Sequence, residues 1–128
     1  MKRIAITENH LYSKAYAKGK KFVTPTVVVY VLTDYRAARL KKENPEKKYI
    51  NRIGLTVTKK NGGAVERNRC KRVMREALRS VETEYGLRAG FLIVLVAREA
   101  TAKTKTAVVA SDMTNAFSRL GMLMPRRN

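Results

Sequence analysis

Acidic residues are scarce in this chain. Of its 128 residues only 10 are Asp or Glu, against 28 Lys and Arg, which leaves a formal net charge of +18. Charge at that density repels itself and weakens the compact state, so the composition points to a polyanionic partner: nucleic acid, or an anionic membrane as the competitor. Long apolar runs are missing as well. No stretch reaches the roughly 18–20 residues that span a bilayer. The opening MKRIAITENHLYSK has a basic pair but neither the apolar core nor the cleavage site of a secretory leader. The expectation is a cytoplasmic protein with no membrane partner. The one cysteine, Cys70, excludes an intramolecular disulfide. Tryptophan is absent, and there is no internal repeat or low-complexity tract.

Hydrolytic machinery is also lacking. An autonomous nuclease needs acid/base groups or metal-binding carboxylates in convergent positions. His10 is the only histidine, and a solvent-facing or capping role suits it better than catalysis. The carboxylates are scattered without a D-x-D or E-x-x-H arrangement, and no Cys/His zinc spacing or glycine-rich phosphate loop occurs. No catalytic residue and no metal ligand is therefore assigned.

What the chain does have is concentrated in residues 64–79, AVERNRCKRVMREALR. Six cations fall there, Arg67, Arg69, Lys71, Arg72, Arg75 and Arg79, opposed only by Glu66 and Glu76. Cys70, Val73, Met74, Ala77, Leu78 and Val81 recur at three- and four-residue steps, the pattern of an amphipathic helix. At about 100° per residue, Asn68, Arg72, Arg75 and Arg79 project opposite that stripe. One element thus offers one face to a core and the other to a polyanion. Cys70, on the apolar stripe, reads as a buried structural thiol.

The length suits one domain, 1–128. Thr7 is a plausible N-cap for a first helix over 8–18, with Gly19 as its stop. Residues 26–32, rich in β-branched side chains, predict a strand. Residues 36–48 are basic and polar with Pro45 as a breaker, and predict a long connection with at most a helical turn near 36–42. A second strand region spans 50–58. In it Ile53, Leu55 and Val57 alternate with Arg52, Gly54 and Thr56, which predicts a wetter face for the latter set. Asn61-Gly62-Gly63 predicts a flexible turn into the basic helix, which runs to about Glu84 and stops at Gly86-Leu87. Phe91–Ala97 is apolar without alternation, as in a strand buried on both faces. Residues 105–121 predict a last helix despite Asp112 in its apolar phase, and 122–128 a frayed tail. The fold class is α/β: a small two-layer α–β sandwich with a mainly antiparallel sheet and one βαβ crossover around the basic helix.

The run KKNGGAVERNRCKRVMREALR, Lys59 to Arg79, resembles the signature of the bacterial ribonuclease P protein component. The resemblance rests on a lysine pair, a glycine-containing turn, an Arg-Asn-Arg core, then Lys-Arg and Arg-Glu. It continues, less sharply, through Tyr12, Tyr16 and Gly19 and on to Tyr30. It implies a ribosomal-protein-like fold with a left-handed crossover. It implies a subunit of an endoribonuclease that removes the 5′ leader of precursor tRNA, with the chemistry carried by an RNA subunit and its Mg²⁺. Lys59, Lys60, Arg67, Asn68, Arg69, Lys71, Arg72, Arg75 and Arg79 would dock on the ribonuclease P RNA. Tyr12, Tyr16 and Tyr30 would line a cleft for the single-stranded leader, where aromatic faces accept any base. A protein oligomer is not required. Two alternatives stay open from the residues: core packing for the tyrosines, and a brace at the turn–helix junction for Asn68. A structural, ribosomal-type RNA-binding protein is the competing function.

Overall fold

The computed structural model describes residues 4–36, 42 and 51–125. Strands β1 (Ile4–Ala5), β2 (Lys20–Val23), β3 (Val27–Thr33), β4 (Arg52–Thr56) and β5 (Phe91–Ala97) form one sheet in the order β1-β4-β5-β3-β2. Helices α1 (Asn9–Lys18), α2 (Ala64–Glu84) and α3 (Thr106–Arg119) pack on it, and a short 3-10 turn occupies Lys59–Asn61. The sheet is mixed. β3 pairs antiparallel with β2 and β5, whereas β4 runs parallel to β5 and β1. The antiparallel ladders are the longer in total, so the antiparallel character expected is one of extent. β4 and β5 are parallel neighbours joined through α2, which is the βαβ unit read from the sequence.

The larger core lies between the sheet and the α2/α3 pair. Val73, Met74, Ala77, Leu78 and Val81 of α2 and Val109, Met113, Ala116 and Phe117 of α3 meet Val27, Val29, Val31, Ile93 and Leu95. The six-residue stripe foreseen on α2 is buried throughout, Cys70 included. Each of its fully buried aliphatic side chains contributes ~1.5–3 kcal/mol, which fixes the roll of the helix and so which way its arginines point. The other sheet face carries α1: Leu11 and Ala15 pack on Leu92 and Val94. β5 is therefore covered on both faces, as its unbroken apolar run requires.

Several local expectations are corrected. Glu8, not Thr7, is the N-cap of α1, and it makes no side-chain cap bond; its carboxylate turns instead to His10 and Arg36. Gly19 ends α1 in extended backbone (φ −74°), so it does not serve as a left-handed stop. Glycine is needed there because a Cβ would lie 2.5 Å from the Ala15 carbonyl oxygen. β1 and β2 were not foreseen, being two and four residues long without strong alternation. The wetter face of β4 does not exist as expected: Arg52 and Gly54 are buried and Thr56 is half-buried. The tail begins docked. Met122 is buried, its carbonyl accepts from the Arg88 amide at 2.8 Å, and Leu123 bridges Leu87. The odd acid of α3, Asp112, accepts a 2.7 Å bond from the Thr26 hydroxyl and so anchors the start of β3. Apart from Arg36 and Lys42, the basic connection at 36–48 lies outside the described residues.

Candidate nucleic-acid interface

Burial of the α2 stripe turns the cationic positions outward. Asn68, Arg69, Arg72, Arg75 and Arg79 are exposed, and Arg67 and Lys71 are half-buried at its borders. Arg67 leans back, its Nε 3.4 Å from the Gly63 carbonyl. Glu66, the acid of the first turn, lies over Gly62, whose φ of +99° suits glycine. The opposing carboxylate is thereby kept near the helix N-terminus, where it is favourable.

Lys59 and Lys60 are not on a loose turn. The Asn61 side-chain oxygen accepts from the Thr58 amide at 3.0 Å, and the Thr58 hydroxyl accepts from the Lys60 amide at 3.3 Å. The Asn61 side-chain amide donates to the Arg98 carbonyl at 3.1 Å. This closed turn is tied to the end of β5 and presents both lysines, exposed, beside the start of α2. The brace considered for Asn68 is thus supplied by Asn61. The spacing Thr58-x-x-Asn61 carried that signal, since a hydroxyl followed three residues on by a side-chain amide is a capping pattern.

The three tyrosines gather over the sheet face that α1 leaves partly open. The Tyr16 and Tyr30 rings meet edge to face, centroids 5.0 Å apart at 71°, and the Tyr16 hydroxyl bonds the Thr56 hydroxyl at 2.5 Å. Tyr16 remains 41 % exposed. Tyr12, half-buried one turn earlier, lays its phenol over Gly54. Burial pushes the Tyr12 phenol up in pKa, and a neighbouring Tyr16 charge would push it further, against the hydrogen bond from the Leu55 backbone amide. Tyr12 and Tyr30 pack against the smaller core, one of the two readings left open in the sequence, and they also border the open face. Beyond them, Val23, Val28, Val96 and Thr56 lie in register across four strands, Val23 51 % exposed. Lys21 stands opposite Tyr30 on this face, whereas Lys20 pairs with Val31 on the reverse and Lys14 sits 5.5 Å from the Tyr35 ring.

One positioning feature escaped the sequence reading. Arg52 reaches across β5 to Asp34 in a two-pronged ion pair, Nε to Oδ2 2.7 Å and a terminal nitrogen to Oδ1 2.9 Å. Both side chains are less than a tenth exposed. Burial alone would push the Asp34 carboxyl up; the bonds from Arg52 and the Arg36 amide, with the charges of both arginines, hold it below its ordinary range. The pair lies at the Glu8 end of α1; the bond to Asp34 is the main cause of the raised pKa of Arg52, and the Glu8 charge adds to it.

Among the described residues no three His, Cys, Asp or Glu side chains converge as metal ligands, and no helix is long and apolar enough to cross a membrane. A cationic helix braced by a lysine turn, set beside a tyrosine-bordered sheet face, defines a small α/β protein with one outward cationic surface. The family model described as Ribonuclease P matches residues 1–121. The chain is 36% identical over 102 residues to the ribonuclease P protein component of Dehalococcoides mccartyi strain CBDB1, covering 80% of this chain and 72% of that protein. It is 32% identical over 124 residues to the ribonuclease P protein component of Clostridium acetobutylicum, covering 97% and 94%. In fold it is similar to the Staphylococcus aureus RNase P protein (TM-score 0.69, 24% identity, 93% and 96% covered) and to that of Thermotoga maritima (0.63, 23%, 90% and 94%). The chain belongs to the ribonuclease P protein component family, and with it to tRNA processing.

Proposed function

We propose that this chain is the protein subunit of a cytoplasmic ribonuclease P. In this reading it binds the catalytic RNA through Lys59, Lys60, Arg67, Asn68, Arg69, Lys71, Arg72, Arg75 and Arg79. It receives the 5′ leader of precursor tRNA against Tyr12, Tyr16 and Tyr30. The observation that carries the reading is the roll of α2: its entire apolar stripe is buried, so its cations face outward as one surface. Arginine forks suit bidentate contact with phosphate oxygens, and lysines add point charge. The exposed Tyr16 ring and the Val23–Val28–Val96 row offer a base-tolerant stacking and apolar surface.

In this reading Mg²⁺ is bound mainly by the RNA subunit. This chain's part is to lower phosphate repulsion with its +18 charge and to hold the leader, so that precursor is favoured over mature tRNA.

The test is 5′ maturation at low Mg²⁺ with the cognate RNA subunit, with and without the protein. Stimulation is expected. No stimulation, or co-purification with ribosomal RNA in place of ribonuclease P RNA, would favour a structural RNA-binding role instead.

A further inference from the structure

β1 is two residues long, so it covers only Arg52 and Ile53 of β4, and the last edge bond runs from the Ile6 amide to the Ile53 carbonyl at 3.0 Å. Past that point no described strand pairs with the β4 edge, and a cavity of about 300 Å³ lies there between α1 and α2. Tyr12, Ile53, Leu55 and Leu78 form its apolar walls, Lys71 and Arg75 stand on its α2 side, and no carboxylate among the described residues lines it. The volume is at the lower end for small-molecule sites. A bare phosphate would need no aromatic and aliphatic walls, and an aliphatic chain would have no use for two cations. A flat ring bearing an anion uses both.

We propose that this cavity takes a single unpaired nucleotide of the bound RNA, its base against Tyr12 and Leu55 and its phosphate on Lys71 and Arg75. The proposal rests on reading the chain as an RNA-binding subunit, and it adds a site that neither surface contains alone. Tyr12 belongs to the tyrosine face and Lys71 and Arg75 to the cationic helix, so the cavity is where the two surfaces join. An RNA strand seated in it passes from the sheet face around the β4 edge onto α2 without leaving the protein.

The experiment is a titration of the full chain with uridine 5′-monophosphate, uridine and inorganic phosphate, followed by NMR at the Leu55, Lys71 and Arg75 amides. Ala5, which also lines the cavity, gives the control variants Ala5→Leu and Ala5→Val. Each keeps the strand backbone, Tyr12 and both cations while filling the mouth, and the pair guards against one variant misfolding. The expected result is binding of the nucleotide about fivefold or more tighter than phosphate or uridine. Whichever variant folds should lose that preference, together with a similar factor in affinity for the RNA. Phosphate bound as tightly as the nucleotide would overturn the proposal, as would unchanged RNA affinity in a folded, filled variant. If the wild-type chain fails to stimulate maturation, the underlying reading falls, while the nucleotide titration, which needs no RNA subunit, still decides the cavity.

Discussion

Tyr12 lies against the bare backbone of Gly54, so closely that a Cβ at position 54 would come within 2.6 Å of three atoms of its phenol end. A rigid ring cannot yield there without leaving the sheet. Gly54→Ala should therefore destabilise the fold by about 1–3 kcal/mol, the usual range for overpacking. It should also reduce discrimination between precursor and mature tRNA. In a Tyr12→Ala background the same change should cost much less, because the clash is gone. Thermal unfolding of the four proteins of this cycle measures the coupling, and additive effects would separate the two residues.

The ion pair of Asp34 and Arg52 is buried, so removing one partner strands a charge. Asp34→Ala should destabilise by about 3–5 kcal/mol, and Asp34→Leu with Arg52→Met should recover most of it. The sign with pH follows from the lowered carboxyl pKa. The folded value lies below the ordinary 3.8, so the pair's contribution is complete above that value and is lost as pH falls through the folded one. Denaturant midpoints should drop in acid for the wild type and be flatter over the same range for the double variant.

Arg72 and Arg75 are exposed on the outward face of α2. Replacing either by Ala should flatten the dependence of log K on log salt for RNA binding by about one phosphate contact, with little change in stability. Filter-binding isotherms across a salt series read this directly, and an unchanged slope would remove that residue from the interface.

Self-repulsion at +18 should make the RNA-free fold sensitive to small anions. Sulfate or phosphate held on the cationic face stabilises by mass action, so the unfolding midpoint in dilute buffer should rise when either is added. Equal midpoints would show that repulsion matters little.

Tyr16 offers ring and hydroxyl separately. Tyr16→Ala should weaken binding of a leader-bearing RNA by about 1–3 kcal/mol, the range for one stacked base. Tyr16→Phe should retain most of the affinity, losing only the bond to Thr56. Fluorescence titration of the precursor against both variants checks the difference.

Where side-chain periodicity alone decides structure, the sequence was readable. The stripe of α2 and the unbroken apolar run of β5 gave their residues to within one position. The α2 arginines followed, because a helix whose buried side is known has a known outer side. Features set by two distant segments were not readable. Arg52 looked like a wet strand position because its partner, Asp34, stands 18 residues away and beyond an intervening strand. Gly19 looked like a left-handed stop, since a close approach to Ala15 and Val31 leaves no local trace. Asn61 was read as part of a flexible turn although its spacing to Thr58 fits a capping pattern, and its tie to Arg98 required the fold.

The lone cysteine has a practical consequence. Cys70 is 1 % exposed beneath α2, and burial pushes its thiol up, away from the reactive thiolate. An alkylating reagent reaches it only when the packing around that helix opens. The rate of its modification is therefore a built-in gauge of how firmly the helix is seated, readable by mass spectrometry on the unaltered chain, with and without added ribonuclease P RNA.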